Sequence, residues 1–306
     1  MSRIFEALQR SEAERSGVSN PEPFPLATEF LQRAEAEVRD AAIPQVAKEE
    51  FCEDLVGQFQ SLPIHLSRDG RLICLTDEES LGAEKFRFLS VRLRQIQQTR
   101  PLKKLLITST IPEEGKSMVC GNLAAVLARK KHQKILLLEG DLRRPVLTSR
   151  FGLGKVPGLT EWLQNEPAPM TNIYRLEGSG LWLLPAGKPA ANPLELMQSG
   201  RLSGLMDQLT AWFDWVIIDS PPVLPLADTS LWMRLADGVV LVARESVTQK
   251  RQLQRGLEII EQSKLLGMVL NSSSNSDHEN YYQRYGPSVP QAASDFKVVS
   301  EESKEG

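Results

Sequence analysis

The sequence predicts an α/β fold with a mostly parallel central sheet flanked by helices. Three observations carry that prediction. Runs of Leu, Ile and Val at nearly every position, such as Leu105-Leu106-Ile107 and Ile135-Leu136-Leu137-Leu138, read as strands buried on both faces. Those runs alternate with helical stretches from Arg71 to Asn271. Polar and acidic residues gather where the strands run out, at the edge where such sheets bind ligands.

In chain order, the apolar run Leu72–Leu75 is the first expected strand, followed by a helix over Ser80–Gln97. Lys104–Ser109 is a strand, and the small and apolar residues of Lys116–Arg129 read as the helix after it. Lys134–Glu139 and Leu181–Leu184 are further apolar strands, separated by a helix over Leu159–Gln164. Pro193–Gln198 and Arg201–Phe213 are helices that lead into the strand Trp215–Asp219. The helix Asp228–Leu235, the strand Gly238–Ala243, the helix Val247–Gln262 and the strand Gly267–Asn271 complete the pattern.

Composition narrows the class. The chain has 306 residues, 41% hydrophobic and 25% charged, which suits one large globular domain or two small ones. A net charge of −3 gives no general reason to expect a nucleic-acid partner. Cys52, Cys74 and Cys120 are far apart and form no CxxC pair, so neither a disulfide framework nor a structural zinc is expected, and a reducing cytoplasm is. No apolar run approaches the roughly 18 residues that a membrane span needs, and Met1–Glu6 lacks a signal-peptide core.

Three segments are expected. Residues 1–70 form a partly disordered, partly helical segment for docking a partner. Its first sixty residues hold twelve acidic and six basic side chains and four prolines, and Ile4, Phe5 and Leu8 fall on one side of a short helix capped by Ser2. That face suits a partner, a membrane surface or the chain's own domain equally. Residues 71–271 form the α/β domain, and residues 272–306 a flexible tail.

Within the domain, the strand 104–109 runs through Thr110-Ile-Pro-Glu-Glu114 into Gly115-Lys116-Ser117 and a helix. A strand, a tight loop and a Gly-Lys-Ser helix start make a phosphate cradle, because unpaired N–H groups of the first turn and the helix dipole attract anions. Gly115 allows close backbone approach, Lys116 reaches the β- and γ-phosphates, and the Ser117 hydroxyl is placed for Mg²⁺. Thr110 stands where the G-x-x-x-x-G-K-[ST] pattern has its first glycine. Glu139-Gly140-Asp141 and Asp219 end two further strands. Nucleotide-bound Mg²⁺ takes one or two carboxylates and a hydroxyl, which Asp141, Asp219 and Ser117 can supply. No Ser-His-Asp or His-x-x-x-His spacing supports a hydrolase triad or a zinc site.

With these motifs in place, residues 72–271 resemble the bacterial tyrosine autokinases of capsule and exopolysaccharide synthesis, P-loop proteins with deviant Walker motifs. The resemblance rests on Thr108-Ser109 through Gly115-Lys116-Ser117 (Walker A), Glu139-Gly-Asp141-Leu-Arg-Arg-Pro145 (Walker A′) and Ile217-Ile-Asp219-Ser-Pro-Pro222 (Walker B). Leu184-Pro-Ala-Gly-Lys-Pro and Asn192-Pro-Leu-Glu-Leu also look like family segments.

The resemblance implies an ATP- and Mg²⁺-dependent protein-tyrosine kinase. Nucleotide would be bound by Glu114, Gly115, Lys116, Ser117, Met118 and Asn271, and metal by Ser117, Asp141 and Asp219. Lys116, Glu139 and Asp141 would be catalytic, Glu139 standing where the family has the Asp that deprotonates the acceptor tyrosine. It also implies a homo-oligomer joined through an E-x-x-R-x-x-R helix, here Glu84 and Arg87 with Ser90 in the place of the second Arg. The implied partners are protein-tyrosine substrates and a membrane-embedded regulator of polysaccharide chain length. That regulator would recruit the kinase to the inner face of the cell membrane.

Of four tyrosines, Tyr281, Tyr282 and Tyr285 cluster on the tail, where the family carries its phosphoacceptors. Their phosphates would add negative charge beside Asp277 and Glu279 and repel the tail from an acidic active site. Two other readings stay open. One is a P-loop ATPase of the partitioning and septum-positioning class, although that class has a lysine early in the loop where this chain has Ser109-Thr-Ile-Pro. The other is a nucleotide-binding regulator without kinase activity, suggested by Glu139 and Ser90.

Overall fold

The computed structural model describes residues 59–130, 132–165 and 170–272. The chain divides into two units, Met1–Leu55 and Val56–Gly306, and the described residues all belong to the second. The expected helix near Ile4 and the tail tyrosines lie outside the described residues.

Among the described residues, eight strands form one sheet: β1 (Ser61–Leu62), β2 (Lys104–Ser109), β3 (Ile135–Glu139), β4 (Tyr174–Leu176), β5 (Leu181–Leu184), β6 (Trp215–Asp219), β7 (Gly238–Arg244) and β8 (Leu265–Asn271). Their spatial order is β1-β4-β5-β3-β6-β2-β7-β8, and every neighbouring pair is parallel except β4–β5. The sheet is therefore mostly parallel, as its apolar strands require. Consecutive residues serve opposite cores. Leu105 and Ile107 enter one hydrophobic cluster and Leu106 the other, because side chains alternate across a strand.

The helices in chain order are α1 (Ile73–Thr76), α2 (Leu81–Thr99), α3 (Lys116–Ala128), α4 (Leu147–Arg150), α5 (Leu159–Gln164), α6 (Pro193–Met197), α7 (Arg201–Trp212), α8 (Asp228–Leu235) and α9 (Lys250–Ile259). α3 is buried nearly all round, which explains why its sequence has no polar face. Ser80 caps α2 by accepting from the Ala83 amide at 3.2 Å.

The expected strand Leu72–Leu75 is instead the short helix α1. Four apolar residues in a row do not distinguish a strand from a helical turn. What decides here is the buried Asn122 of α3, whose side chain accepts from Cys74 N (2.9 Å) and donates to Arg71 O (2.8 Å), while Arg129 donates to Cys74 O at 2.7 Å. These side chains satisfy backbone groups that a sheet neighbour would otherwise have taken.

The last expected helix is also shorter, beginning at Lys250 rather than Val247. Thr248 Oγ1 accepts from Arg244 N at 2.8 Å and holds the preceding turn, in which Ser246 is left-handed at φ 61°. β1 and β4 were not anticipated. They are two and three residues long and meet across more than a hundred residues, so they leave no local pattern. β1 brings residues upstream of the expected boundary at 71 into the sheet.

Candidate active site

The ends of β2, β6 and β3 stand level, with Ile107 opposite Asp219 and Asp219 opposite Glu139. Side chains leaving the carboxyl ends of these strands therefore converge on the loop between β2 and α3. In that loop Glu113 and Gly115 are left-handed, at φ 67° and 96°, an alternation that turns backbone N–H groups toward an anion. Glycine is required at 115, since a Cβ there would sit 2.1 Å from Asn271 Nδ2.

Thr110, in the place of a glycine, braces the loop. Its hydroxyl bonds the buried Glu114 carboxylate at 2.8 Å, and its methyl faces Gly256 of α9, where a Cβ would approach it to 2.5 Å. Glu114 also accepts from Ile111 N at 3.0 Å and bonds the Thr248 hydroxyl, so its side chain is internal to the loop. What Glu114 can offer a ligand is its backbone. Asn271 likewise turns its amide to the Glu114 carbonyl at 2.9 Å, ties β8 to the loop and lines the cleft.

Lys116 starts α3 almost fully buried, with Nζ 3.1 Å from Asp141 Oδ2, 3.6 Å from Asp219 Oδ1 and 3.4 Å from Ser117 Oγ. Burial alone would lower its pKa, but Asp219 and Asp141 outweigh burial and hold the ammonium charged. Asp219 is wholly buried, and neither of its carboxylate oxygens makes a well-formed hydrogen bond; the Lys116 ammonium at 3.6 Å and the Ser117 hydroxyl are the polar groups that face it. Burial pushes its carboxyl up to about 6 against the pull of the Lys116 charge.

An orphaned buried carboxylate next to a second carboxylate and a hydroxyl fits a hard divalent cation. Among the described residues there is no group of three or more Asp, Glu, His and Cys able to hold a metal unaided. The set Ser117, Asp141 and Asp219 therefore suits a cation that also has water and phosphate ligands, as nucleotide-bound Mg²⁺ does.

Lys116, Ser117 and Asp141 floor a cleft of about 640 Å³ also lined by Gly115, Met118, Pro222 and Asn271, and Asp219 lies buried behind Lys116. Its walls carry Arg71, Arg143, Arg144, Arg150 and Arg244 in addition to Lys116, against the carboxylates of Asp141 and Glu113. The expectation of an acidic site that repels a phosphorylated tail is thereby corrected, because the lining is predominantly cationic. Arg71, Arg150 and Arg244 come from separate elements, and nothing local in the sequence joined them to the motifs.

Glu139 is placed differently from Asp141. It is fully buried and does not line the cleft. Its Oε1 accepts from Leu147 N (2.5 Å) and Thr148 N (3.3 Å), and its Oε2 from Thr148 Oγ1 (2.7 Å) and Ala186 N (3.1 Å). A carboxylate with four donors holds α4 and the 185–186 loop in place, and in this conformation its oxygens are committed to those donors. Asp141 is the Walker A′ carboxylate on the cleft, with Oδ1 accepting from the Arg143 and Arg144 amides at 3.3 and 3.0 Å.

Away from the cleft, Glu84 and Arg87 form an ion pair with each other on α2 at 2.5 Å. Ser90 faces inward, buried, with its hydroxyl on Arg87 O at 2.7 Å. The outer face of that helix instead exposes Phe88 (64%) and Val91 (50%).

Comparison with known proteins places this geometry. No family model matches the chain. The tyrosine-protein kinase YwqD of Bacillus subtilis strain 168 is 34% identical over 212 residues, 69% of this chain and 89% of that protein. Among solved structures, the chimerical protein CapA2B2 is 31% identical with a TM-score of 0.63, covering 74% of this chain and 100% of that one. The kinase domain of Escherichia coli tyrosine kinase ETK is 26% identical with a TM-score of 0.61, covering 67% and 82%.

Two outcomes test the site. Glu139→Gln turns an amide N–H toward at least one of the donors it now satisfies, and should cost about 2–3 kcal/mol in urea unfolding together with any loss of activity. Lost activity at native stability would return Glu139 to the role of base. Lys116→Met leaves two buried carboxylates without their counter-charge, so the ligand-free fold should melt well below the wild type at pH 8. The gap should narrow toward pH 5.5, as Asp219 takes up a proton near its raised value of about 6. Adding Asp219→Asn to Lys116→Met should recover much of the loss, and a melting temperature unaffected by Lys116→Met at pH 8 contradicts the charge balance drawn here.

Proposed function

The chain belongs to the bacterial tyrosine-protein kinase family, and from that premise we propose how its cleft acts. The protein is a tyrosine kinase, transferring the γ-phosphoryl group of ATP to a tyrosine hydroxyl. Family membership sets aside the partitioning-class reading. The observation that carries the assignment of residues is the buried Asp219 carboxylate, without a well-formed hydrogen bond, beside Lys116, Ser117 and Asp141. In this reading the loop amides around Gly115 and the Lys116 ammonium hold the phosphates. Ser117, Asp141 and Asp219 hold Mg²⁺, directly or through water. The metal supplies charge neutralisation at the transferring phosphate.

Phosphoryl transfer passes through a loose transition state, so catalysis rests on positioning and electrostatics more than on a strong base. Asp141, the A′ carboxylate on the cleft, is assigned the acceptor hydroxyl. Glu139 is assigned the support of the loop. Glu114 and Asn271 shape the loop from behind, and Met118 contributes a cleft wall.

The acceptors assigned are Tyr281, Tyr282 and Tyr285. Tyr174, the fourth tyrosine, supports this by elimination. It is buried and its hydroxyl donates to Pro157 O at 3.2 Å, so it is not presented to an active site in the folded chain. Residues 71–271 are read as the kinase domain with β1 added at the sheet edge, residues 1–70 as a docking segment and 272–306 as the acceptor tail. No helix among the described residues is long and apolar enough to cross a membrane.

We further read the kinase as acting on exopolysaccharide or capsule polymerisation, recruited to the membrane by a chain-length regulator. That reading rests on the resemblance of the Walker A′ segment and the segments from Leu184 and Asn192. Self-association through α2 is supported by the exposed Phe88 and Val91 beside the Glu84–Arg87 pair.

Incubation with Mg-ATP followed by phosphotyrosine immunoblotting and mass spectrometry tests the kinase and its acceptors together. Phosphate should appear on the 281–285 cluster. A variant with Tyr281, Tyr282 and Tyr285 all changed to Phe should lose more than nine-tenths of the signal. An undiminished blot in that variant, or phosphate on Tyr174 alone, overturns the acceptor assignment.

A further inference from the structure

The topology gives the cleft two sides. The phosphate loop leaves β2. To one side β7 and β8 contribute Arg244 and Asn271, and to the other β3 leads into Asp141, with Asp219 of β6 buried behind Lys116. The metal-binding carboxylates lie on the β6–β3 side, so the transferred phosphate faces that way and its acceptor must enter there. Beyond Asp141 that entrance is bounded by Arg71, Arg143, Arg144 and Arg150.

These four guanidiniums are not equivalent. Arg143 is held by the buried Asp228 at the start of α8, through Nε at 2.6 Å and a second nitrogen at 3.2 Å. Arg150 donates once, to Gly70 O at 2.9 Å, and its Nε is buried without a partner. The side chains of Arg71 and Arg144 are exposed and make no hydrogen bond or ion pair among the described residues. Burial lowers the Arg150 pKa; the Asp219 charge opposes that and the Arg71 charge adds to it, which puts the two arginines within each other's field. Asp228 takes Arg143, and Asp141 faces Lys116, so Arg71, Arg144 and Arg150 keep their charge available to an anion brought from outside.

We propose that Arg71, Arg144 and Arg150 form an acceptor-recognition wall that selects tyrosines preceded by acidic residues. The occupant is the chain's own segment 277–281, Asp-His-Glu-Asn-Tyr. In an extended peptide alternate side chains share a face, so Asp277, Glu279 and Tyr281 point the same way. At about 3.3–3.6 Å per residue, Glu279 lies roughly 7 Å and Asp277 roughly 14 Å from the tyrosine position, a span that arginines on several elements can cover. The proposal rests on the kinase reading above and adds its peptide specificity. It also reverses the expected effect of phosphorylation, since a phosphorylated tail is attracted to this wall.

Binding separates the two ideas, because it needs no turnover. A fluorescein-labelled peptide spanning 275–286, with its tyrosines replaced by Phe, is titrated with the full chain at low salt. A second peptide carries in addition Asp277→Asn and Glu279→Gln. The chain's own tail competes equally with both, so the ratio of affinities is the readout. The acidic peptide should bind up to about tenfold more tightly, the upper end for two exposed ion pairs at low salt. That ratio should fall to near one in the Arg71→Gln/Arg144→Gln protein.

Equal binding of the two peptides by the wild-type chain overturns the proposal. So does a double variant that keeps the discrimination but loses affinity for Mg-ADP, which would assign the arginines to nucleotide. Peptide discrimination without any phosphotyrosine on the Tyr-containing peptide would count against the kinase reading and leave the wall standing.

Discussion

The structure turns on an unbalanced charge. Lys116 faces two buried carboxylates, and one ammonium cannot neutralise both. Removing a carboxylate from water without hydrogen bonds is among the costlier arrangements a fold can keep. Here Asp219 makes no well-formed hydrogen bond on either oxygen, and burial pushes its carboxyl up to about 6 against the pull of Lys116 and the Ser117 hydroxyl. In the proposed reading, a nucleotide that brings its own cation resolves the imbalance. Every other feature of the cleft is a means of holding that arrangement in register: the level ends of β2, β6 and β3, the buried helix α3, and the left-handed turn at Gly115.

The remaining carboxylates near the cleft do a different job. Glu114 ties the phosphate loop to itself and to Thr248. Glu139 accepts four donors from α4 and the 185–186 loop, and Asp228 grips Arg143. α8 adds Trp232, whose indole N–H donates to Gly140 O at 3.0 Å and whose ring leaves no room for a Cβ at 140. Three satisfied carboxylates thus fix the frame, and Asp141 is left on the cleft with Asp219 buried behind Lys116. That division makes a rigid frame around a reactive centre, which is the condition for electrostatic catalysis.

Much of this was legible in the residues. The apolar strands were readable because a sheet buried on both faces admits little else, and β2, β5, β6, α5 and α8 fall on the expected bounds. Lys116, Ser117, Asp141 and Asp219 were readable because they sit at strand or helix ends in motifs of fixed spacing. What escaped notice depends on distant partners. The Leu72–Leu75 run was indistinguishable from a strand until Asn122, about fifty residues on, claimed its backbone. Glu139 looked like its acidic neighbour in the motif, since nothing in Glu-Gly-Asp tells which carboxylate turns to the cleft and which to α4. The cationic entrance was hidden for the same reason, since Arg71 and Arg150 join Arg143 and Arg144 of the motif only in the fold.

The most direct test of the central claim is calorimetric titration of the ligand-free chain with ADP, with and without Mg²⁺, at pH 8 and at pH 5.5. If the orphaned Asp219 carboxylate is a metal ligand, Mg²⁺ should strengthen ADP binding at least tenfold at pH 8. Most of that gain should vanish at pH 5.5, where protonation of a group titrating near 6 competes with the metal. A gain from Mg²⁺ of the same size at both pH values, or none at either, would contradict the account.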